Sequence, residues 1–90
     1  MASAWGRLCV PHSFSSALSL LTSCHFVASL DNGFLVEWDS TGNPWTDQIM
    51  RPEEKLNSDG TLTVPKGPGI GFEPSLDSLS GEIRETHVDA

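Results

Sequence analysis

"CVPHSFSSALSLL" (residues 9–21) joins a short apolar run to the start of an amphipathic helix, with a proline and a histidine at the join. Leu8, Cys9 and Val10 read as a strand within 5–12, and Pro11 ends its ladder because it has no N–H to donate. Ser13, Ser15 and Ser16 then offer hydroxyls to the unpaired N–H groups of a helix start. From Ala17 the apolar residues Ala17, Leu20, Leu21, Cys24, Val27 and Ala28 fall at helical spacing and predict one buried face. Asp31, Asn32 and Gly33 predict the stop, with Gly33 free to take positive φ. "FLVEW" (34–38) follows as a second strand, apolar without alternation, as for a strand covered on both faces of a parallel sheet. Strand, helix, strand over so short a span is a βαβ unit. His12 stands at the handover from strand to helix, where three readings stay open: a catalytic residue, an inert cap, or part of a targeting peptide.

Ninety residues make one small domain or a piece of a larger one. A chain of this size buries only about 60–65% of its unfolded surface, so partners weigh heavily in its stability. The net charge is −7, and every acidic residue lies at Asp31 or later, while residues 1–30 carry only Arg7. Such a balance disfavours nucleic acid and anionic membrane, which both need a basic footprint. Cys9 and Cys24 sit in no CxxC or zinc-like cluster and read as reduced thiols in a cytoplasmic protein. The uncharged stretch between Arg7 and Asp31 holds six serines, Pro11, His12 and His25, too polar for a membrane span. A leader would use Ala17–Thr22 as its apolar core, which is short for that purpose.

Beyond residue 38 the character changes. "DSTGNPW" (39–45) is turn chemistry, and "KLNSDGTLTVP" (55–65) predicts a β-hairpin around Asp59-Gly60. "GIGFE" (69–73) is a further extended piece, "SLDSL" (75–79) starts a helical turn, and 80–90 reads as a frayed tail. "KGPGIG" lacks the Lys-Ser/Thr and following helix of a phosphate loop, so its glycines are read as packing sites. Glu53 and Glu54 are expected in solvent, Trp38 and Trp45 as packing anchors, and His25 against the sheet or a neighbouring group.

Taken in order, "VPH", the Ser/Ala/Leu helix, "FLVEWD", "NPWTDQI" and "DGTLTVPKGPGIGFE" resemble the C-terminal end of mandelate racemase/muconate lactonizing enzymes of the enolase superfamily. The resemblance runs from about Trp5 to Leu79 and implies an α/β fold. Residues 1–46 would be the last βαβ unit of a partial (β/α) barrel. Residues 47–79 would be a hairpin-bearing C-terminal segment packed on a capping domain, and 80–90 a disordered tail. It implies a magnesium-dependent racemase, dehydratase or cycloisomerase that abstracts the proton α to a carboxylate in a small, sugar-acid-like substrate. The matching His12 would be a general acid/base at a barrel strand's C-terminal end. Glu37 would donate a hydrogen bond to the substrate carboxylate as charge builds, from a carboxyl kept protonated by burial.

The family's metal-binding carboxylates, its second base and the Asp partner of its histidine belong on earlier strands, for which this sequence offers no counterpart. The expectation is therefore a C-terminal part of such an enzyme, inactive as an isolated chain, that needs the remaining barrel portion or self-association to fold. A small acidic non-enzymatic interaction protein, or a lipoprotein with an N-terminal leader, is the alternative. Asp39, directly after the second strand, is placed either at the same mouth or as a turn cap.

Overall fold

The apolar residues of 17–28 form a helix where the spacing predicts it. In the computed structural model, which describes residues 1–77, 81 and 84–88, helix α1 spans Ala17–Ala28. Ser16 precedes it in extended conformation, and its carbonyl takes the first helical bond, from Leu20 N–H. The Ser16 side chain makes no capping bond. Ala17, Leu20, Leu21 and Cys24 are buried, whereas Val27 is half-buried and Ala28 exposed, so the apolar stripe loses contact with the core at its last turn.

That stripe packs on Ile49 and Met50, which follow the short helix α2 (Pro44–Asp47). Asn43 starts α2 by accepting from Trp45 N–H at 3.0 Å, with Pro44 at the first helical position, where its missing N–H costs nothing. Val36, Trp38, Leu62, Val64 and Phe72 lean on the cluster from outside. Leu21 is the largest side chain sealed completely from solvent, and burying a leucine stabilises by about 1.5–3 kcal/mol.

The two predicted strands shrink to a single parallel bridge between Cys9 and Gly33. Cys9 N–H donates to Asn32 O at 2.8 Å and Phe34 N–H to Cys9 O at 3.2 Å. Residues 3–5 form a 3₁₀ turn instead of the start of a strand, which leaves Arg7 in solvent. The segment 34–38 is not covered on both faces: Phe34 is 60% and Leu35 56% exposed, while Val36 and Trp38 turn inward. Parallel sheets occur with both faces covered and several strands side by side, and among the described residues each segment has only the other. Among the described residues there is one bridge beside α1, with no strand longer than that and no closed barrel.

Gly33 corrects a second expectation. Its φ is not among the positive ones, and α1 instead ends at Ser29, whose N–H and hydroxyl both donate to Phe26 O. Glycine is required because the chain passes close by the helix end: a Cβ here would collide with Val27 O. Gly33→Ala must therefore displace either the helix end or the Cys9–Gly33 bridge, at a cost of about 1–3 kcal/mol. Gly81→Ala, which meets nothing within 4 Å, is the control. Equal rates of Cys24 thiol labelling in the two variants would refute this account of Gly33.

The predicted hairpin is a tight turn without strands. Asn57 N–H donates to Thr61 O at 2.9 Å, and Gly60 takes φ +82. Leu62 and Val64 then spend their side chains on the core, not on a ladder. Of the glycines of 67–71, Gly71 does permit close packing, since a Cβ on it would lie 2.9 Å from the Lys66 carbonyl carbon, whereas one on Gly69 would meet nothing within 4 Å. His25 secures this loop to α1, its Nε2 donating to Ile70 O at 2.8 Å. Glu54, expected in solvent, is only 4% exposed. Arg51 explains it: Nε and Nη2 donate to Oε1 at 3.0 and 2.7 Å, and Arg51 N–H to Oε2 at 2.8 Å. Cys9 and Cys24 are not joined to each other, and burial pushes the Cys24 thiol up. The predicted turn at 75–79 and the tail at 80–90 fall partly outside the described residues.

Candidate functional site

A parallel bridge sends two segments out of the fold at the same end. His12 lies three residues beyond Cys9, and Glu37 four beyond Gly33, so their side chains meet at that end. His12 Nδ1 and Glu37 Oε2 are 2.6 Å apart, and Ser13 N–H donates to the same oxygen at 3.3 Å. A carboxylate only accepts, so this bond places a proton on Nδ1 and leaves Nε2 facing outward. No hydrogen bond to Nε2 exists among the described residues. The His12 and Glu37 side chains are 78% and 45% exposed. The Glu37 carboxyl thus lies at the surface and not in the buried site expected for it, its Oε2 shared between the imidazole and the Ser13 N–H.

Alternation along the extended segment places Glu37 and Asp39 on one side, with Val36 and Trp38 on the other. Asp39 accordingly does both things considered for it. Its Oδ1 accepts from Thr41 N–H at 2.9 Å and from Thr41 Oγ1 at 2.6 Å, closing a turn. It also lines, with Glu37, Ser13, Ser16 and Thr46, a small cavity at the N-terminal end of α1. Its Oδ2 is buried and makes no short hydrogen bond, the nearby Asn43 side chain giving the carboxyl a weaker one. Asn43 stays close, its amide donating to Ser15 O at 2.6 Å.

The Thr41 hydroxyl, then its N–H, hold the Asp39 carboxyl below the ordinary 3.8; Thr61 does the same to Asp59. A carboxyl whose pKa is lower folded than unfolded stabilises above the unfolded value, and that contribution is lost as pH falls through the folded one. Acid therefore loosens both turns below about pH 4. In a carbon-detected NMR titration Asp59 is expected below 3.8, and Thr61→Val to return it upward. An Asp59 midpoint at 3.8 in both proteins contradicts this.

The structure thus brings His12 and Glu37 into direct contact, puts Asp39 beside Glu37 as one of the two placements considered for it, and adds Ser13 N–H, which sequence reasoning did not assign. Among the described residues no three His, Cys, Asp or Glu side chains lie together as ligands. Magnesium takes near-octahedral oxygen ligation, usually with carboxylates, and these residues do not fit it. No helix among the described residues is long and apolar enough to cross a membrane.

Residues 1–78 match the family described as Enolase C-terminal domain-like. A D-galactarolactone cycloisomerase of Agrobacterium fabrum is 30% identical over 89 residues, covering 89% of this chain and 23% of that protein. A D-xylonate dehydratase of Haloferax volcanii is 26% identical over 74 residues, covering 82% of this chain and 18% of that protein. The chain therefore spans less than a quarter of the length of these curated relatives. No solved structure matches it significantly.

Proposed function

This chain belongs to the enolase C-terminal domain-like family, and from that premise we propose that it supplies one wall of an acid/base site for α-proton abstraction from a sugar-acid-like carboxylate. The observation that carries the reading is the 2.6 Å contact between His12 and Glu37 at the shared end of two parallel segments. His12 is the proton carrier. Glu37 and Ser13 N–H fix the Nδ1 side of the ring, so Nε2 presents a lone pair or a proton to the substrate in a constant direction. The relatives act on galactarolactone and xylonate, which favours a polyhydroxylated acid as substrate.

The parallel register of Cys9 and Gly33 supports residues 1–46 as the last βαβ unit of a (β/α) barrel. Leu8, Phe34 and Leu35, exposed along the open edges, are the surface that further strands would cover. Residues 47–79 are the segment that returns toward a capping domain. Magnesium, where the assembled enzyme holds it, finds its ligands outside the residues described here, and no step performed by His12 or Glu37 depends on a ligand from this chain.

The test mixes the chain with a polypeptide carrying the remaining barrel portion of the cycloisomerase, in heavy water with magnesium. Deuterium incorporation α to the carboxylate of D-xylonate or a galactaric acid derivative is followed by NMR. Exchange that requires both polypeptides is expected. A folded two-chain complex without exchange on either substrate ends the proposal.

A further inference from the structure

The contact between His12 and Glu37 exists in one register only. The bridge sets Cys9 opposite Gly33, and the two side chains follow three residues beyond one and four beyond the other. A slip of one residue turns the side chains of a segment to its other side and moves them about 3.3 Å along. A slip of two restores the side but displaces the partner by about 6.6 Å. Neither leaves Nδ1 within reach of Oε2, and the two atoms are 2.6 Å apart in the register observed.

The usual means of fixing a register are weak in this chain. A buried face would do it, yet Leu8, Val10, Phe34 and Leu35 are all exposed. A long ladder would do it, yet among the described residues the main chain joins the segments by two bonds, Cys9 N–H to Asn32 O and Phe34 N–H to Cys9 O. Asn32 adds a third. Its Nδ2 donates to Arg7 O at 2.9 Å, while its own carbonyl accepts from Cys9 N–H at 2.8 Å. One residue thus grips the other segment at two points. A one-residue slip loses both, because successive backbone groups of an extended chain point to opposite sides. A two-residue slip toward α1 puts Pro11 in the place of Cys9, with no N–H to give. Asn32 is itself placed by α1, whose last turn closes just before it, with Leu30 N–H donating to Val27 O. The helix packs on the core, so Asn32 carries the position of the core forward to the site.

We propose that Asn32 is a positioning residue, whose side-chain amide fixes the parallel register that brings His12 to Glu37. The reading above supplies what the pair does; the pairing itself stands on the register.

Imidazole NMR of the full chain, labelled with nitrogen-15, tests it near pH 8, where an ordinary imidazole is neutral. In the unaltered chain His12 is expected as the Nδ1–H tautomer, and His25, which donates through Nε2 to Ile70 O, as the opposite one. Asn32→Asp keeps the size of the side chain and removes the donor, and Asn32→Ala removes the donor without adding charge. In both, His12 is expected to lose the Nδ1–H signature while His25 keeps its own. Asn57→Asp, the same exchange in the turn around Asp59, is expected to change neither. Retention of the His12 signature in either Asn32 variant overturns the proposal. So does loss of the His25 signature alongside it, because Asn32 would then hold the whole fold and not the register. Loss of the His12 signature in Asn57→Asp overturns it as well. An unaltered chain without Nδ1–H at His12 removes the pair, and with it both this inference and the proposed function; retention in the variants removes this inference alone.

Discussion

His12→Asn is expected to lower α-proton exchange by the assembled site about 10²–10⁴-fold, the usual loss when a positioned acid/base group is removed. Asparagine keeps a polar side chain that can still donate to Glu37 Oε2, so the Glu37 carboxylate retains a partner. It cannot take up and return a proton near neutral pH. Because the His12 side chain is 78% exposed, the change touches no core contact, and folding is expected to survive. Unchanged protection of the Cys24 thiol verifies that. Glu37→Gln is the companion measurement. Its amide oxygen still accepts from Nδ1, so exchange should fall less than in His12→Asn, in kcat more than in KM. Exchange in His12→Asn within a factor of two of the original removes His12 from the mechanism.

Leu21→Ala has the largest expected effect on stability. Leu21 is completely buried at the centre of a cluster that also holds Ala17, Leu20, Cys24, Ile49 and Met50. Truncating it removes favourable burial and leaves a void that so small a core fills poorly, a loss of about 2–5 kcal/mol. Through the factor of ten per 1.4 kcal/mol, the open population rises by about thirty-fold to several thousand-fold. Cys24 lies one turn below Leu21 on the same helix face, so its labelling by a thiol reagent reads the opening directly. Leu18→Ala, on the exposed side of α1, should change that rate little. Similar rates in the two variants would mean that the α1 face is not the core of this protein.

The helix and the site were legible for different reasons. α1 could be read because a helical face repeats every three to four residues, and Ala17, Leu20, Leu21 and Cys24 state it locally. His12 and Glu37 could be singled out because each interrupts an apolar run at a strand's end, and because the resemblance supplied matching positions. The strands could not be read as they stand. A residue such as Phe34 reports that it suits a covered surface, not whether a cover is present. Glu54 escaped for the converse reason. Its burial depends on Arg51 folding back over three hydrogen bonds, and a charged pair in sequence looks the same buried or solvated.

Gly33 shows the same divide within one residue. The sequence marked the position as a place where only glycine serves, yet it pointed to the wrong cause. Positive φ is a local property, whereas the approach of Gly33 to Val27 O exists only once the chain has turned back on α1.

By itself, then, the sequence determined α1, most of its buried face and the tight turn at Asp59-Gly60. These are properties of spacing and of residue type, and they survive without knowledge of neighbours. Tertiary structure alone decided that His12 and Glu37 touch, that the strands stop at one parallel bridge, that Glu54 is buried, and that Asp39 turns one oxygen inward. Each of these depends on which distant segment arrives alongside, and a hydrogen bond across 25 residues leaves no mark on either end of the chain until the fold brings the two together.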